Sequence, residues 1–182
     1  MELEERVAEL ERRLAALESQ RQATVRPEPA EGDFWALEGL KEQLAALGAD
    51  AGGVLFTGAV TLPTGERYEW QQAAVTGSLL GEGAHDAPGK GAPDGPDGAR
   101  TAESLAALGS PVRLRLLREI LAGRRTAAEL TALDGVGTSG QVYHHLRQLT
   151  AAGWLHPVGR GRHEVPGARV VPLLVLLSAA TP

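Results

Sequence analysis

The sequence of 182 residues predicts an α+β, mainly helical protein built in four parts. Three observations lead there. A heptad pattern opens the chain, alternating apolar runs follow a helical pattern in the first half, and a series of helical patterns in the second half encloses one glycine-flanked turn. The parts are a coiled-coil helix at 1–26, a small helix plus β-hairpin module at 33–80, a disordered linker at 81–100 and a C-terminal domain at 101–182.

The opening helix carries Leu3, Val7, Leu10, Leu14 and Leu17, spaced alternately by four and three residues. This is a coiled-coil seam, with Val7 and Leu14 at a and the three leucines Leu3, Leu10 and Leu17 at d. Arg6 and Arg13 then fall at g, opposite Glu11 and Glu18 at e of the next heptad in a parallel partner, which favours a homodimer. Two and a half heptads are marginal alone, so the helix adds to a dimer made elsewhere. The competing reading folds it onto its own domain. Pro27 and Pro29 end it.

In the second part Asp33 is placed to cap a helix with Phe34, Leu37, Leu40, Leu44 and Leu47 on its apolar positions and Gly48 at its end. Val54, Phe56, Val60 and Leu62 then alternate on one strand face. Tyr68 and Trp70 do so on another strand, after the turn Pro63-Thr64-Gly65. Fewer than fifty residues make a core that is hard to stabilise alone, so two copies are expected to pair. The module's five aromatics read as that core, with a ligand pocket as the competing reading. A protein partner or a small ligand at this module therefore stays open.

Residues 81–100 read GEGAHDAPGKGAPDGPDGAR, with nine Gly or Pro and no Leu, Ile, Val, Phe, Tyr or Trp. Such a segment cannot bury enough surface to offset its ordering entropy, so the flanking parts are expected to be tethered rather than rigidly coupled. Helical patterns follow at 102–108, 111–122, 126–133 and 138–152. Short strands at 154–158 and 162–165 flank Gly159-Arg160-Gly161, and an apolar helix at 169–180 closes the chain.

That order is a winged helix-turn-helix, with 138–152 as the helix that reads DNA. Val142, Leu146 and Leu149 share its inward face. Rotation of about 100° per residue turns Gly140, His144, Arg147 and Gln148 outward, with Gln141 and Tyr143 on the flanks. Gly140 lets the backbone come close to DNA, and Thr138 and Ser139 are placed to bond phosphates at the helix N-terminus. Arg160 and Arg162, at the hairpin tip, are placed for phosphate or minor-groove contact.

The stretches AESLAALGSPVRLRLLREIL, RRTAAELTAL and TSGQVYHHLRQLTAAGWL resemble the arsenic-repressor-like (ArsR) family of winged-helix regulators, over about residues 102–180. The resemblance implies that Thr138, Ser139, Gln141, Tyr143 and His144 stand where that family enters the major groove. Tyr143 replaces a residue that is commonly serine there, so base preference does not carry over. The family's metal sensors use cysteines, or acidic and histidine ligands on the last helix; this chain has no cysteine, and its last helix reads VVPLLVLLSAA. That helix resembles the family's dimerisation helix and reads equally as an ordinary core helix.

Charge agrees with the division. Residues 1–99 hold 8 basic and 18 acidic side chains, whereas 100–182 hold 10 arginines and 5 acidic residues. The basic half is the one expected to meet an anion. The absence of cysteine excludes disulfides, thiolate metal sites and a cysteine nucleophile, and it fits a reducing, cytoplasmic setting. No secretory signal or membrane-length apolar run occurs, so no membrane association is expected.

Gly135-Val136-Gly137-Thr138-Ser139-Gly140 fits a dinucleotide fingerprint, but no strand precedes it and it reads as the turn of the DNA reader. His156 and His163 lie across the predicted hairpin and make at best an incomplete zinc site. No nucleophile–base arrangement is visible, so no enzyme activity and no cofactor are expected. The sequence thus predicts a homodimeric, sequence-specific, double-stranded-DNA-binding regulator, repressing by occlusion by default. The alternative is a winged-helix protein-interaction module or co-regulator that docks a protein rather than DNA.

Overall fold

A computed structural model describes residue 13, residues 34–81 and residues 96–181. The coiled-coil seam Leu3, Val7, Leu10, Leu14 and Leu17, the Asp33 cap and residues 82–95 of the linker lie outside the described residues. The chain falls into two units, Met1–Glu38 and Gly39–Pro182, and every contact described below lies within the second.

The elements run α1 (Trp35–Ala46), β1 (Gly53–Thr61), β2 (Arg67–Val75), α2 (Thr76–Leu80), α3 (Pro96–Leu108), α4 (Pro111–Leu121), α5 (Ala127–Thr131), α6 (Ser139–Ala151), β3 (His156–Pro157), β4 (His163–Glu164) and α7 (Gly167–Ala179). Two antiparallel hairpins are the only sheets among the described residues. β1 and β2 pair over nine positions, from Gly53 with Val75 to Thr61 with Arg67. The turn closes through Leu62 N–H donating to the Glu66 carbonyl at 2.9 Å, with Gly65 at a positive φ of 85°.

The expected linker at 81–100 ends earlier than its composition suggests, because α3 already begins at Pro96. A proline fits the first helical turn, where its missing N–H would be unpaired anyway. Of the expected C-terminal helices, α4 starts at Pro111 behind the Ser110 cap, as the sequence indicates.

The largest departure concerns how the first half joins the second. The hairpin β1–β2 packs directly on α7 instead of standing apart on a tether. Leu62 belongs to the same buried cluster as Leu116, Leu117 and Ile120 of α4, Leu130 of α5, Leu146 of α6 and Leu173 of α7, with Val60 and Tyr68 packed against it. The reason lies in α7, whose sequence is apolar on nearly every side and must be covered. Val170, Val171 and Leu173 are buried, so this helix is a core helix covered by the chain's own hairpin. Gly58 permits the approach: a Cβ there would sit 2.6 Å from Cγ1 of Val171. The turn adds a second point of contact, since a Cβ at Gly123 would meet Cγ2 of Thr64 at 3.0 Å.

The module therefore has no aromatic core of its own. Phe34, Trp35 and Trp70 are exposed, and Val54, expected to face inward, is 54% exposed. The inward row is Phe56, Gly58, Val60 and Leu62, which shares the predicted alternation but runs toward the turn, where α7 lies. No helix among the described residues is long and apolar enough to cross a membrane.

Candidate nucleic-acid interface

Three short segments build the interface: α5, the turn 132–138 and α6. Each helix starts with a reciprocal cap. Thr126 Oγ1 accepts from Glu129 N–H at 3.2 Å, while Glu129 Oε2 accepts from Thr126 N–H at 2.8 Å. The Thr126 hydroxyl also donates to Glu129 Oε2 at 2.7 Å, and this bond first, with the backbone bond second, holds the Glu129 carboxyl below its ordinary range. At α6, Thr138 Oγ1 accepts from Gln141 N–H at 3.4 Å and Gln141 Oε1 accepts from Thr138 N–H at 2.8 Å. The Gln141 side chain, expected to face DNA, is thus turned back onto the helix start. The Thr138 hydroxyl keeps its hydrogen for an outside acceptor.

Between the helices, Gly135 and Gly137 adopt positive φ values of 74° and 93°, and Val136 between them is 1% exposed. The glycines make the sharp reversal and the valine pins it to the core. Gly140, third in the apparent fingerprint, is ordinary helix with open space around it. The Arg115 guanidinium donates to the Asp134 carbonyl and fastens this turn to α4.

On α6, Val142, Leu146 and Leu149 are buried. Thr138, Ser139, Gly140, Gln141, Tyr143, His144 and Arg147 are all exposed, Tyr143 by 53%. His145 is half-buried with an unpaired Nδ1, so the two adjacent histidines divide between surface and packing. Gln148, expected to face outward with no further duty, accepts from Arg113 Nη1 at 2.8 Å. The same guanidinium donates to the carbonyls of Ala106 and Ala107, so Arg113 ties the end of α3 to α6.

The wing is shorter than predicted: His156 pairs with Glu164 and Pro157 with His163. That register sets His156 and His163 one position apart, on opposite faces, so they do not meet as a metal pair. No group of three or more metal-ligating side chains occurs among the described residues. The tip, Gly159-Arg160-Gly161, holds three consecutive positive φ values, including 49° at Arg160. Left-handed backbone is costly for a residue with a Cβ, and here it sets Arg160 at the apex of the turn. The side chains of Arg160 and Arg162 are exposed, and like that of Arg147 they form no hydrogen bond or ion pair with the described residues, although the charge of Arg162 helps to hold the Glu129 carboxyl down.

The wing is fixed to the reader through α5. Thr126 bridges Arg162, Ala127 N–H donates to the Gly161 carbonyl at 3.3 Å, and His163 N–H donates to the Arg125 carbonyl at 2.7 Å. Arg125 then reaches in two directions, to Glu164 at 2.9 Å on the wing and to Glu66 in the first hairpin's turn. Its guanidinium holds the Glu66 carboxyl below the ordinary range, helped by the Thr64 hydroxyl. In the charge balance of the sequence Arg125 counts only as part of a positive field. Five of the arginines counted into that field (Arg113, Arg115, Arg124, Arg125 and Arg169) have structural partners instead.

A family model described as a helix-turn-helix domain matches residues 108–158, less than a third of the chain, from the end of α3 through the first wing strand. These residues form a helix-turn-helix domain, the element that regulators use to read DNA. No curated protein and no solved structure matches the chain.

Proposed function

We propose that the chain is a homodimeric, sequence-specific DNA-binding transcriptional regulator of the arsenic-repressor-like type, working in the cytoplasm as a repressor by occlusion. The observation that carries this reading is the contrast among the arginines of the helix-turn-helix and its wing. Arg147 and Arg160 stay exposed with no side-chain partner among the described residues, and Arg162 keeps its donors free while its charge acts on Glu129, whereas Arg113, Arg115, Arg124 and Arg125 are bound to protein. α6 enters the major groove with Gly140, Tyr143, His144 and Arg147 toward the bases, and Thr138 and Ser139 bond phosphate at its start. Arg160 and Arg162 grip the backbone beside it. The hairpin covers α7, so the dimer contact falls to the coiled-coil helix at 1–26, and two half-sites lie about one helical turn apart.

Selection from randomised duplexes with the full chain tests this reading. Enrichment of a short inverted repeat is expected. Retention that is sequence-independent and strongly salt-dependent would leave only backbone affinity. Retention of a protein partner by an Arg147→Ala, Arg160→Ala chain that has lost DNA would favour the protein-docking alternative. Deleting residues 1–26 should yield a monomer by mass in solution; an unchanged dimer refutes the assignment of the contact to the coil.

A further inference from the structure

The packing of the first hairpin on the winged helix leaves a cleft of about 690 Å³ between β1–β2, α3 and α7. Its volume lies in the range of small-molecule sites. Phe56 and Gln72, partners across the hairpin, form one wall. Leu105 of α3 and Leu176 of α7 form the others, 52% and 37% exposed, and Trp154 lies at the base. The lining includes Arg100 and Arg169 and, among the described residues, no carboxylate. The Arg169 guanidinium lies 4.8 Å from the centre of the Trp154 ring and forms no hydrogen bond or ion pair with the described residues. Stacking on the indole holds a cation in place without using its N–H donors. Apolar walls and one pre-positioned fork of donors suit a ligand with an apolar body and a single anionic group.

The cleft also touches one support of the reading helix, through Trp154 and Ser104, and is walled by α3, which carries the other. The Trp154 indole N–H donates to the Ser104 carbonyl of α3 at 2.9 Å, and Trp154 N–H closes the end of α6 on the Leu149 carbonyl at 2.9 Å. At the far end of α3, Arg113 joins the last carbonyls to Gln148 of α6. A ligand that parts α3 from α7, or draws Arg169 off the indole, acts on two bonds that set where α6 lies.

We propose that this cleft binds a small apolar molecule carrying one carboxylate or sulfonate group, and that its occupancy is passed through Trp154 and α3 to α6. The second half of that statement rests on the DNA-binding reading, whereas the first does not.

Anilinonaphthalene sulfonate, an apolar anion, is the probe, and neutral phenylnaphthylamine is its control, in fluorescence titrations of the full chain without DNA. Saturable binding at one site per chain is expected. Arg169→Gln should weaken it about tenfold or more, as loss of a charge-assisted contact does, and leave the neutral control unmoved. Unsaturable binding, or equal affinity in the native chain and the Gln variant, overturns the site. If the Gln variant does not fold by near-ultraviolet circular dichroism, Leu105→Trp decides, since it fills the cleft from an exposed position; undiminished binding there overturns the site as well. With a selected duplex in hand, saturating probe should shift DNA affinity by about fivefold or more, and not in Arg169→Gln. Probe binding without that shift overturns the coupling alone, and a chain that binds probe but no duplex refutes the DNA reading instead.

Discussion

The two β-hairpins use one motif for opposite ends. The first pairs over nine positions and sends Val60, Leu62 and Tyr68 into the common core, so its strength comes from packing. The wing pairs over two positions and ends in an arginine with left-handed backbone, so it cannot hold itself. It borrows rigidity from Thr126 and Arg125, and Arg125 is also the ion-pair partner of the first hairpin's turn. Side chains turned inward make a hairpin structural. A hairpin fastened along one strand leaves the side chains of its tip free for another molecule.

The comparison breaks most readily at Leu62. Leu62→Ala removes a side chain that is 7% exposed from the shared cluster, and the expected loss is about 2–4 kcal/mol in urea unfolding. The transition should stay single, because hairpin and winged helix share that core; two separate transitions would show that the first hairpin is only tethered. Arg125→Ala comes next. It removes bonds to Glu66 and Glu164, whose carboxyl groups are partly open to solvent, so screening limits the loss to about 1–2 kcal/mol. Amide exchange at the wing should rise more than at β1–β2, which keeps its packing. Equal effects on both hairpins would contradict the dependence of the wing on Arg125.

Arg160→Gly separates stability from function. Glycine relieves the left-handed backbone and should gain about 0.5–1 kcal/mol. DNA affinity should fall at the same time, and the slope of log affinity against log salt should drop by about one. A variant that binds as tightly as the native chain would remove the wing tip from the interface.

The smallest effect is the titration of His163. Burial, with Nδ1 unpaired, holds its pKa below the ordinary 6.5. The folded chain therefore favours the neutral ring, and the unfolded chain takes up protons first as pH falls. This stabilisation is complete above pH 6.5 and is lost as pH drops through that value toward the folded pKa. Glu66 has the same sign, but its contribution is lost only below the ordinary carboxyl value of 4.5. Thermal melts between about pH 7 and pH 5.5 should thus show a decline that His163→Phe abolishes. An unchanged decline in that variant would assign it to another group.

Legibility followed locality. The helix-turn-helix could be read because each signal lies within a few residues of its effect. Gly135 and Gly137 mark a turn, and Val142, Leu146 and Leu149 mark one face, whereas the reciprocal caps of Thr126 with Glu129 and Thr138 with Gln141, equally local, emerged only in the structure. Exposure of Ser139, Tyr143, His144 and Arg147 follows from the same rotation. The contacts made by Arg113, Arg115 and Arg125 had no such signal. Their partners lie as far as 35, 19 and 59 residues away, and a sum of charges counts each arginine as free. The start of α3 was hidden differently, because Pro96 and Gly98 carry the linker's composition into its first turn.

The sequence by itself determined the periodic elements, the glycine turn and the exposed face of α6, since helix faces and glycine turns are set by neighbours along the chain. Only the tertiary structure decided what covers α7. An all-round apolar helix demands a cover but does not specify which one. Gly58 against Val171, Thr64 against Gly123 and Glu66 against Arg125 supply that cover from the chain's own first half. The same docking makes the cleft beside Trp154, because a cavity belongs to none of the segments that wall it.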